Sequence, residues 1–344
     1  VAEPIRVLLT GAGGPATRNV IRSLRLAKQE YFVVGTDRDK RFIAASGADQ
    51  VATVPSATDP AFVATIKELV AEHDVAVVHP QPDPEVQVLA AHAADLPTGL
   101  PPVGVIETCS DKLLTADALT AAGVGVPLSM TAADLGGAFS ELASLGDGVV
   151  WVRARRGAGA RASLPTRSVD EARAWMDYWT SRGLAAEDFM LAQFLPGREF
   201  AVQTLWWRGR LIGAQARERL EYLFGYLTPS GQTSSPSVAR IVNDDNLYAI
   251  AEAAVRAVGD EPHGVFSVDM KSDAGEKPLV TEINAGRFFT TSLFLSTVGA
   301  NFPDLLMRLV AGNDVERLGV GPVAEGGGLW VRSVDMEPML VPEH

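Results

Sequence analysis

Apolar and polar positions in the first hundred residues alternate between two rhythms. Ile5–Leu9 and Phe32–Thr36 are short apolar runs of strand length, and between them Val20, Ile21 and Leu24 recur at helical spacing. Asp59-Pro60 has the form of a helix cap followed by proline at the first helical position, and Phe62, Ile66, Leu69 and Val70 form the stripe that such a helix buries. Val75–Val78 is a further strand. Strand, helix and strand in repetition predict parallel pairing with helices on the faces of the sheet.

The rhythm changes after Pro97, Pro101 and Pro102. Ser110-Asp111-Lys112 opens a helix ending near Gly123 and Gly125, and a strand from Val149 runs into Arg153–Ala162, rich in Arg, Gly and Ala. Ser168 and Glu171 have the spacing of a capping box, ahead of a helix carrying Trp175, Met176 and Trp179. Met190–Leu195 and Phe200–Trp206 predict two strands joined by the Pro196-Gly197 turn. A helix over Leu247–Val258 precedes two strands, Val265–Met270 and Leu279–Ile283, without an intervening helix, which predicts an antiparallel sheet. The chain is therefore α/β first and α+β afterwards.

Composition narrows the function. A net charge of −12 argues against a nucleic-acid partner, because binding its phosphates needs a surplus of Lys and Arg. A bound nucleotide is still compatible, because a few local cations reverse the field inside one cleft. No apolar run reaches the roughly 18 residues of a membrane span. The first strand follows neither a basic nor an apolar leader, so a cytoplasmic enzyme is the expectation. Cys109 is the only cysteine, which excludes intrachain disulfides, and its surroundings favour a small packed residue over a nucleophile.

Three clusters carry candidate chemistry. Gly11-Ala12-Gly13-Gly14-Pro15-Ala16 follows the first strand and satisfies the G-x-G-x-x-A dinucleotide fingerprint, with Asp37 near the end of the second strand. A tight strand-to-helix turn without a cofactor explains the same residues. Near the C-terminus, Asp269 and then Glu282-Ile283-Asn284 interrupt apolar strands, and alternation puts Glu282 and Asn284 on one face. Two carboxylates and an amide oxygen form a hard-cation site suited to magnesium, against the alternative of a solvated hairpin. The third cluster is basic. Lys112 begins a helix, Arg153 ends a strand, and Arg155, Arg156 and Arg161 punctuate a glycine/alanine loop suited to covering polyphosphate.

In order along the chain, these motifs resemble the ATP-grasp superfamily, particularly its biotin-carboxylase and carbamoyl-phosphate-synthetase branch and small single-unit relatives. His79-Pro80 with Asp83 and Glu85, then Ser110-Asp111-Lys112 with Gly125-Val126-Pro127, then Val150-Trp151-Val152-Arg153 with its glycine loop, are similar to successive family segments. The resemblance implies a parallel, Rossmann-like pre-ATP-grasp domain over residues 1–109, a lid subdomain over 110–195 and an antiparallel C-terminal subdomain over 196–344 with the metal site. It implies ATP phosphates on Lys112 and Arg153, and adenine on the backbone of Gln193, Phe194 and Leu195, within Leu191-Ala192-Gln193-Phe194-Leu195-Pro196-Gly197-Arg198-Glu199-Phe200. It also implies ribose on Glu199, and magnesium (two ions) on Asp269, Glu282 and Asn284. Arg287 stands where the family keeps an arginine near the transferred phosphate, although Ala285-Gly286 replaces the usual proline. Arg217 is the candidate for the γ-phosphate, with Arg219 equally readable as a solvated strand edge.

The implied reaction is ATP-dependent activation of a small carboxylate as an acyl phosphate, then coupling to an amine with release of ADP and phosphate. A carboxylase or carbamoyl-phosphate-type reaction, a nucleotide-binding regulatory protein and an NAD(P)-dependent oxidoreductase are the competing readings. A homodimer through the first domain is a family-level expectation. Phe288, Phe289, Thr290 and Thr291 are expected to face the acceptor, with Tyr222, Phe224 and Tyr226 in a segment reaching over it.

Overall fold

The fold is that of a computed structural model, which describes residues 3–157, 159–316, 319–320, 328–334 and 339–342. Ala158 of the glycine/alanine loop lies outside them. The first sheet contains β1 (Ile5–Thr10), β2 (Tyr31–Asp37), β3 (Gln50–Thr53) and β4 (Val77–His79), all parallel in the order β3-β2-β1-β4. Val7, Leu9 and Val33 project to one side of it, towards Val20, Ile21 and Leu24 of helix Pro15–Arg25. Leu8, Val34 and Val78 project to the other, towards Phe62 and Ile66. Both faces are covered, as parallel strands require.

The second sheet is antiparallel: β5 (Ser129–Thr131), β6 (Val150–Ala154), β7 (Leu164–Thr166) and β8 (Phe189–Gln193), in the order β5-β8-β6-β7. Alternation divides its residues. Val150, Val152, Phe189 and Leu191 pack under helices Leu135–Ala143 and Val169–Thr180, while Trp151, Arg153, Met190 and Ala192 face the other way.

The third sheet holds β9 (Glu199–Trp207), β10 (Arg210–Tyr222), β11 (Pro236–Val242), β12 (Gly264–Ser272), β13 (Pro278–Ala285), β14 (Gly319–Val320), β15 (Gly328–Val331) and β16 (Met339–Pro342). Its path is β13-β12-β9-β10-β11-β15-β16, with β14 beside β10. Phe200, Val202, Phe266 and Val268 turn to a core shared with Leu247, Ala251 and Val255 of helix Asp245–Val258. Ala201, Leu205 and Val265 turn to the opposite core, with Phe288, Phe294 and Phe302 and the first sheet's Val7 and Leu9. Among the described residues no helix is long and apolar enough to cross a membrane.

Three sequence expectations shift. The strands flanking Pro196-Gly197 do not pair, because β8 belongs to the second sheet and β9 to the third, so the turn is a crossing between sheets. Asp59 does not cap a helix at Pro60: its carboxylate accepts from the Ala61 N–H (2.9 Å) in a preceding turn, and the helix begins at Phe62. Half of the capping box forms. Ser168 accepts from the Glu171 N–H at 3.3 Å, but the Glu171 carboxylate takes the Thr166 hydroxyl instead.

Candidate functional site

The free face of the second sheet and one face of the third line a cleft open to solvent. Pairing register builds its floor. Glu282 on β13 lies opposite Asp269 on β12, Asp269 opposite Ala201 on β9, and Ala201 opposite Arg217 on β10. Residues opposite one another share a face, so Glu282, Asp269, Ala201 and Arg217 form one row. Two residues along, Lys271, Glu199 and Arg219 form the next row. A register shift after Asp269 sets Met270 opposite Val280, and the skipped Thr281 donates its hydroxyl to the Asp269 carbonyl at 3.2 Å.

Every acid in these rows meets a cation. Arg153 Nη2 donates to Glu282 Oε2 at 2.8 Å, and Lys112 Nζ lies 3.8 Å from the same oxygen. Arg219 Nη2 donates to Asp269 Oδ1 at 2.7 Å, so Arg219 is a buried partner of the acid pair and not a solvated edge. Burial alone would raise the Glu282 pKa, but Lys112, Arg153, Arg219 and Arg287 outweigh it and hold the carboxyl below its usual range. Asp269 goes the other way: burial, with Glu282 beside it, raises its pKa against the pull of Arg219. Lys112 is pushed down to about 8 by burial and then by Arg153. No cluster of three His, Cys, Asp or Glu side chains with metal-ligand spacing occurs among the described residues, and the candidate set has two carboxylates and an amide.

The basic loop is fastened at its start. Asp111 caps helix Lys112–Ala121 through the Leu113 N–H (3.1 Å) and also binds Arg155 (2.8 Å) and Arg156 (3.4 Å). Lys112 Nζ donates to the carbonyls of Arg155 (3.3 Å) and Gly157 (2.9 Å). Arg161 instead turns to the Trp179 ring, 5.0 Å from its centroid.

Elsewhere in the cleft, Met190, Ala192, Leu195 and Trp151 make an apolar wall, with Gln193 beside them. The Gln193 N–H is taken by the Leu128 carbonyl (2.8 Å), so Phe194 and Leu195 remain as candidate donors to a base. Phe194 turns its ring towards Trp151, with centroids 6.2 Å apart. Glu199 is bound by Lys271, Tyr222 and Gln232. Burial opposes its charge, yet Lys271 and these neighbours keep its carboxyl below the usual range.

The segment after β13 is held by side-chain amides. Gln81 accepts from the Phe288 N–H at 2.8 Å and donates to its carbonyl at 3.3 Å, Gln203 accepts from the Phe289 N–H at 2.9 Å, and Asn19 donates to the Thr290 carbonyl at 2.7 Å. Arg287 binds Asp83 (2.5 Å) and the Asn284 amide oxygen. Phe288, Phe289 and Thr290 line the cleft, while Thr291 is fully buried behind it. Phe224 and Tyr226 are exposed in the loop after β10.

Within the Ala285-Gly286 pair that replaces the usual proline, Gly286 has φ +83°, and a Cβ there would lie 2.9 Å from Val86. Gly286→Ala is therefore expected to destabilise the fold by about 1–3 kcal/mol, read from urea melts. An unchanged midpoint would refute the strained turn.

The Gly11 loop is packed shut. A Cβ on Gly11 would meet the Pro82 ring at 2.5 Å, and one on Gly13 would meet Phe42 at 2.7 Å. Asp37 accepts from the N–H groups of Gly13 and Asp39, both at 3.0 Å. The fingerprint's acid thus has a structural use inside the loop. Cys109 is buried in helix Val103–Ser110, and burial pushes its thiol up to about 12.

Sequence reasoning missed Trp151 and Lys271, although alternation alone signals both: each lies two residues from a singled-out residue, Arg153 and Asp269, and on its face. Asp83, Gln81 and Gln203 act through contacts more than eighty residues away in sequence, for which no local pattern exists.

Comparison with known proteins fits this geometry. Residues 7–101 match the family model described as PylC-like, N-terminal domain. No curated protein matches the sequence. An L-amino acid ligase from Bacillus licheniformis is similar in structure (TM-score 0.68, 16% identity), with 92% of this chain and 76% of that one covered. The biotin carboxylase domain dimer of Hydrogenobacter thermophilus 2-oxoglutarate carboxylase, solved with MgADP, ADP and bicarbonate, gives a TM-score of 0.74 at 16% identity, covering 96% and 75%. N5-carboxyaminoimidazole synthetase from Staphylococcus aureus, solved with ADP, gives 0.72 at 14%, covering 96% and 83%. The chain has the ATP-grasp fold.

Proposed function

We propose that this protein is an ATP-dependent ligase that activates a small carboxylate as an acyl phosphate and couples it to an amine, forming a C–N bond with release of ADP and phosphate. The observation that carries the reading is the paired Asp269 and Glu282, facing an open cleft and matched by Arg153, Lys112 and Arg219. Buried cations and anions in such number are costly for stability alone. The solved relatives with ADP or MgADP add to the same reading.

Magnesium fits the donor set. Its ligands are hard oxygens, and a cation would relieve the raised pKa of Asp269 beside Glu282, while the buried Arg153 Nε, which has no protein partner, is a donor suited to a phosphate oxygen. Asp269, Glu282 and the Asn284 amide oxygen would hold it, and bound there it neutralises charge developing in phosphoryl transfer. Lys112 and Arg153 exchange Glu282 for the nucleotide phosphates, which favour the charged form of Lys112. Phe194 and Leu195 orient the base, with Glu199 and Lys271 at the ribose. Arg287, steadied by Asp83, faces the transferred phosphate. The Arg155–Ala162 loop excludes water from the acyl phosphate, which would otherwise hydrolyse. Catalysis is then positioning and charge neutralisation, without a covalent enzyme intermediate.

Thermal melts with Mg-ATP, metal-free ATP and NADPH test the binding half: Mg-ATP at a hundred times its Kd should stabilise the protein by about 2.7 kcal/mol. Protection by NADPH alone would reject the reading. Phosphate release is then screened over carboxylic acids paired with amines, and with bicarbonate. ADP formed only with bicarbonate would make the enzyme a carboxylase, and none with any pair, despite Mg-ATP binding, a regulatory nucleotide binder.

A further inference from the structure

Among the described residues Arg217 is the one charged member of the row holding Glu282 and Asp269 without an ion-pair partner. Its residue is 2% exposed, yet among the described residues its only hydrogen bond runs from Nη1 to the Thr291 hydroxyl, and its buried Nε has no partner. Its guanidinium carbon lies 3.9 Å from the Phe289 ring centroid, which orients the plane but does not neutralise the charge. Burial, and then the like charge of Arg219, push its pKa down to about 9, against the weaker opposing pull of Asp269 and Tyr222. A buried, unpaired guanidinium opposes folding. Next to an open cleft it has another meaning, since an arriving anion completes the pair.

The register says which anion. Arg217 is two strands from Asp269 and three from Glu282, about 10 Å and 14 Å at the usual strand spacing. Arg219 occupies the side towards the acids, and Arg217 turns instead to Phe289 and Thr291. Arg217, Phe289 and Asp269 all line the cleft, so an anion held there can reach the guanidinium. We infer that Arg217, held from behind by the Thr291 hydroxyl and in plane by the Phe289 ring, forms a carboxylate-binding subsite for the small-molecule substrate, separate from the groups that hold the nucleotide phosphates. The fork of Nε and Nη2 suits the two oxygens of a carboxylate.

This subsite rests on the ligase reading, and the test separates the two. Mg-ADP affinity is measured by calorimetry for the wild type, Arg217→Met and Thr291→Val. Acetate, succinate and L-alanine are then titrated into each protein with Mg-ADP saturating. At least one of these should bind the wild type, at least tenfold more weakly Arg217→Met and several-fold more weakly Thr291→Val, with Mg-ADP affinity unchanged. Arg217→Met should also melt higher than the wild type without ligand, since it removes an unpaired charge. A lower melting temperature would assign Arg217 a structural role and overturn the inference. So would Arg217→Met weakening Mg-AMPPNP more than Mg-ADP, which would put the arginine on the terminal phosphate, or a wild type indifferent to all three carboxylates. A wild type that binds carboxylate through Arg217 but no Mg-ADP would sink the ligase reading and keep the subsite.

Discussion

Glu282→Gln is expected to lower Mg-ATP-dependent phosphate release by about 10²–10³-fold or more, the scale of losing a preorganised group at developing charge. It should lower stability as well. The neutral amide leaves Arg153 without its 2.8 Å partner and removes the acid that supports Lys112. Breaking a buried pair costs about 3–5 kcal/mol, but the Glu282 side chain is 23% exposed towards the cleft, so solvent screening reduces the expected loss to about 1–3 kcal/mol. Adding Arg153→Met separates the two effects. The double variant removes both charges, and its urea midpoint should recover most of the loss while phosphate release stays low. If recovered stability brought activity back, Glu282 would be a structural residue and the proposed metal site would fall.

That coupling bears on how much could be read in advance. Parallel and antiparallel regions were legible because β1, β2 and β4 are apolar runs separated by a helical stripe, whereas β12 and β13 follow one another directly. The acids were legible because polar residues at Asp269, Glu282 and Asn284 interrupt otherwise buried strands. Their cations were legible as types and positions, but not as partners: nothing local says that Arg219 takes Asp269 while Arg217, two residues away, takes none. Partnership is set by register between strands, which one sequence does not display. The same holds for Pro196-Gly197, whose turn chemistry is shared by hairpins and by crossings between sheets. The Gly11 fingerprint left two readings open for a related reason. Its glycines are required by close approach of Pro82 and Phe42, and local pattern does not distinguish a side-chain neighbour from a dinucleotide.

Raising pH should strengthen the ligand-free protein and weaken its hold on nucleotide over the same interval. Lys112 is buried and its pKa falls from 10.5 to about 8, through burial and then Arg153, against the opposing pull of Glu282, Asp83 and Asp111. Below the folded value, both the folded and the unfolded chain carry the proton. Between it and 10.5, the unfolded chain keeps a proton that the folded protein has released, so stability rises with pH. The full shift corresponds to about 3 kcal/mol, of which about 2 kcal/mol should appear between pH 7 and 9.5. Nucleotide phosphates need the charged ammonium, so Mg-ADP affinity should fall by up to tenfold per pH unit above about 8. Urea melts and calorimetry from pH 7 to 9.5 on the wild type and Lys112→Met follow both quantities. The variant should be flatter in stability, weaker for nucleotide throughout and lacking the fall in affinity above pH 8. Parallel profiles in the two proteins would remove Lys112 from the phosphate site. A wild-type affinity that falls with no gain in stability would assign the titration to another group, because only one that releases its proton on folding links the two with opposite signs.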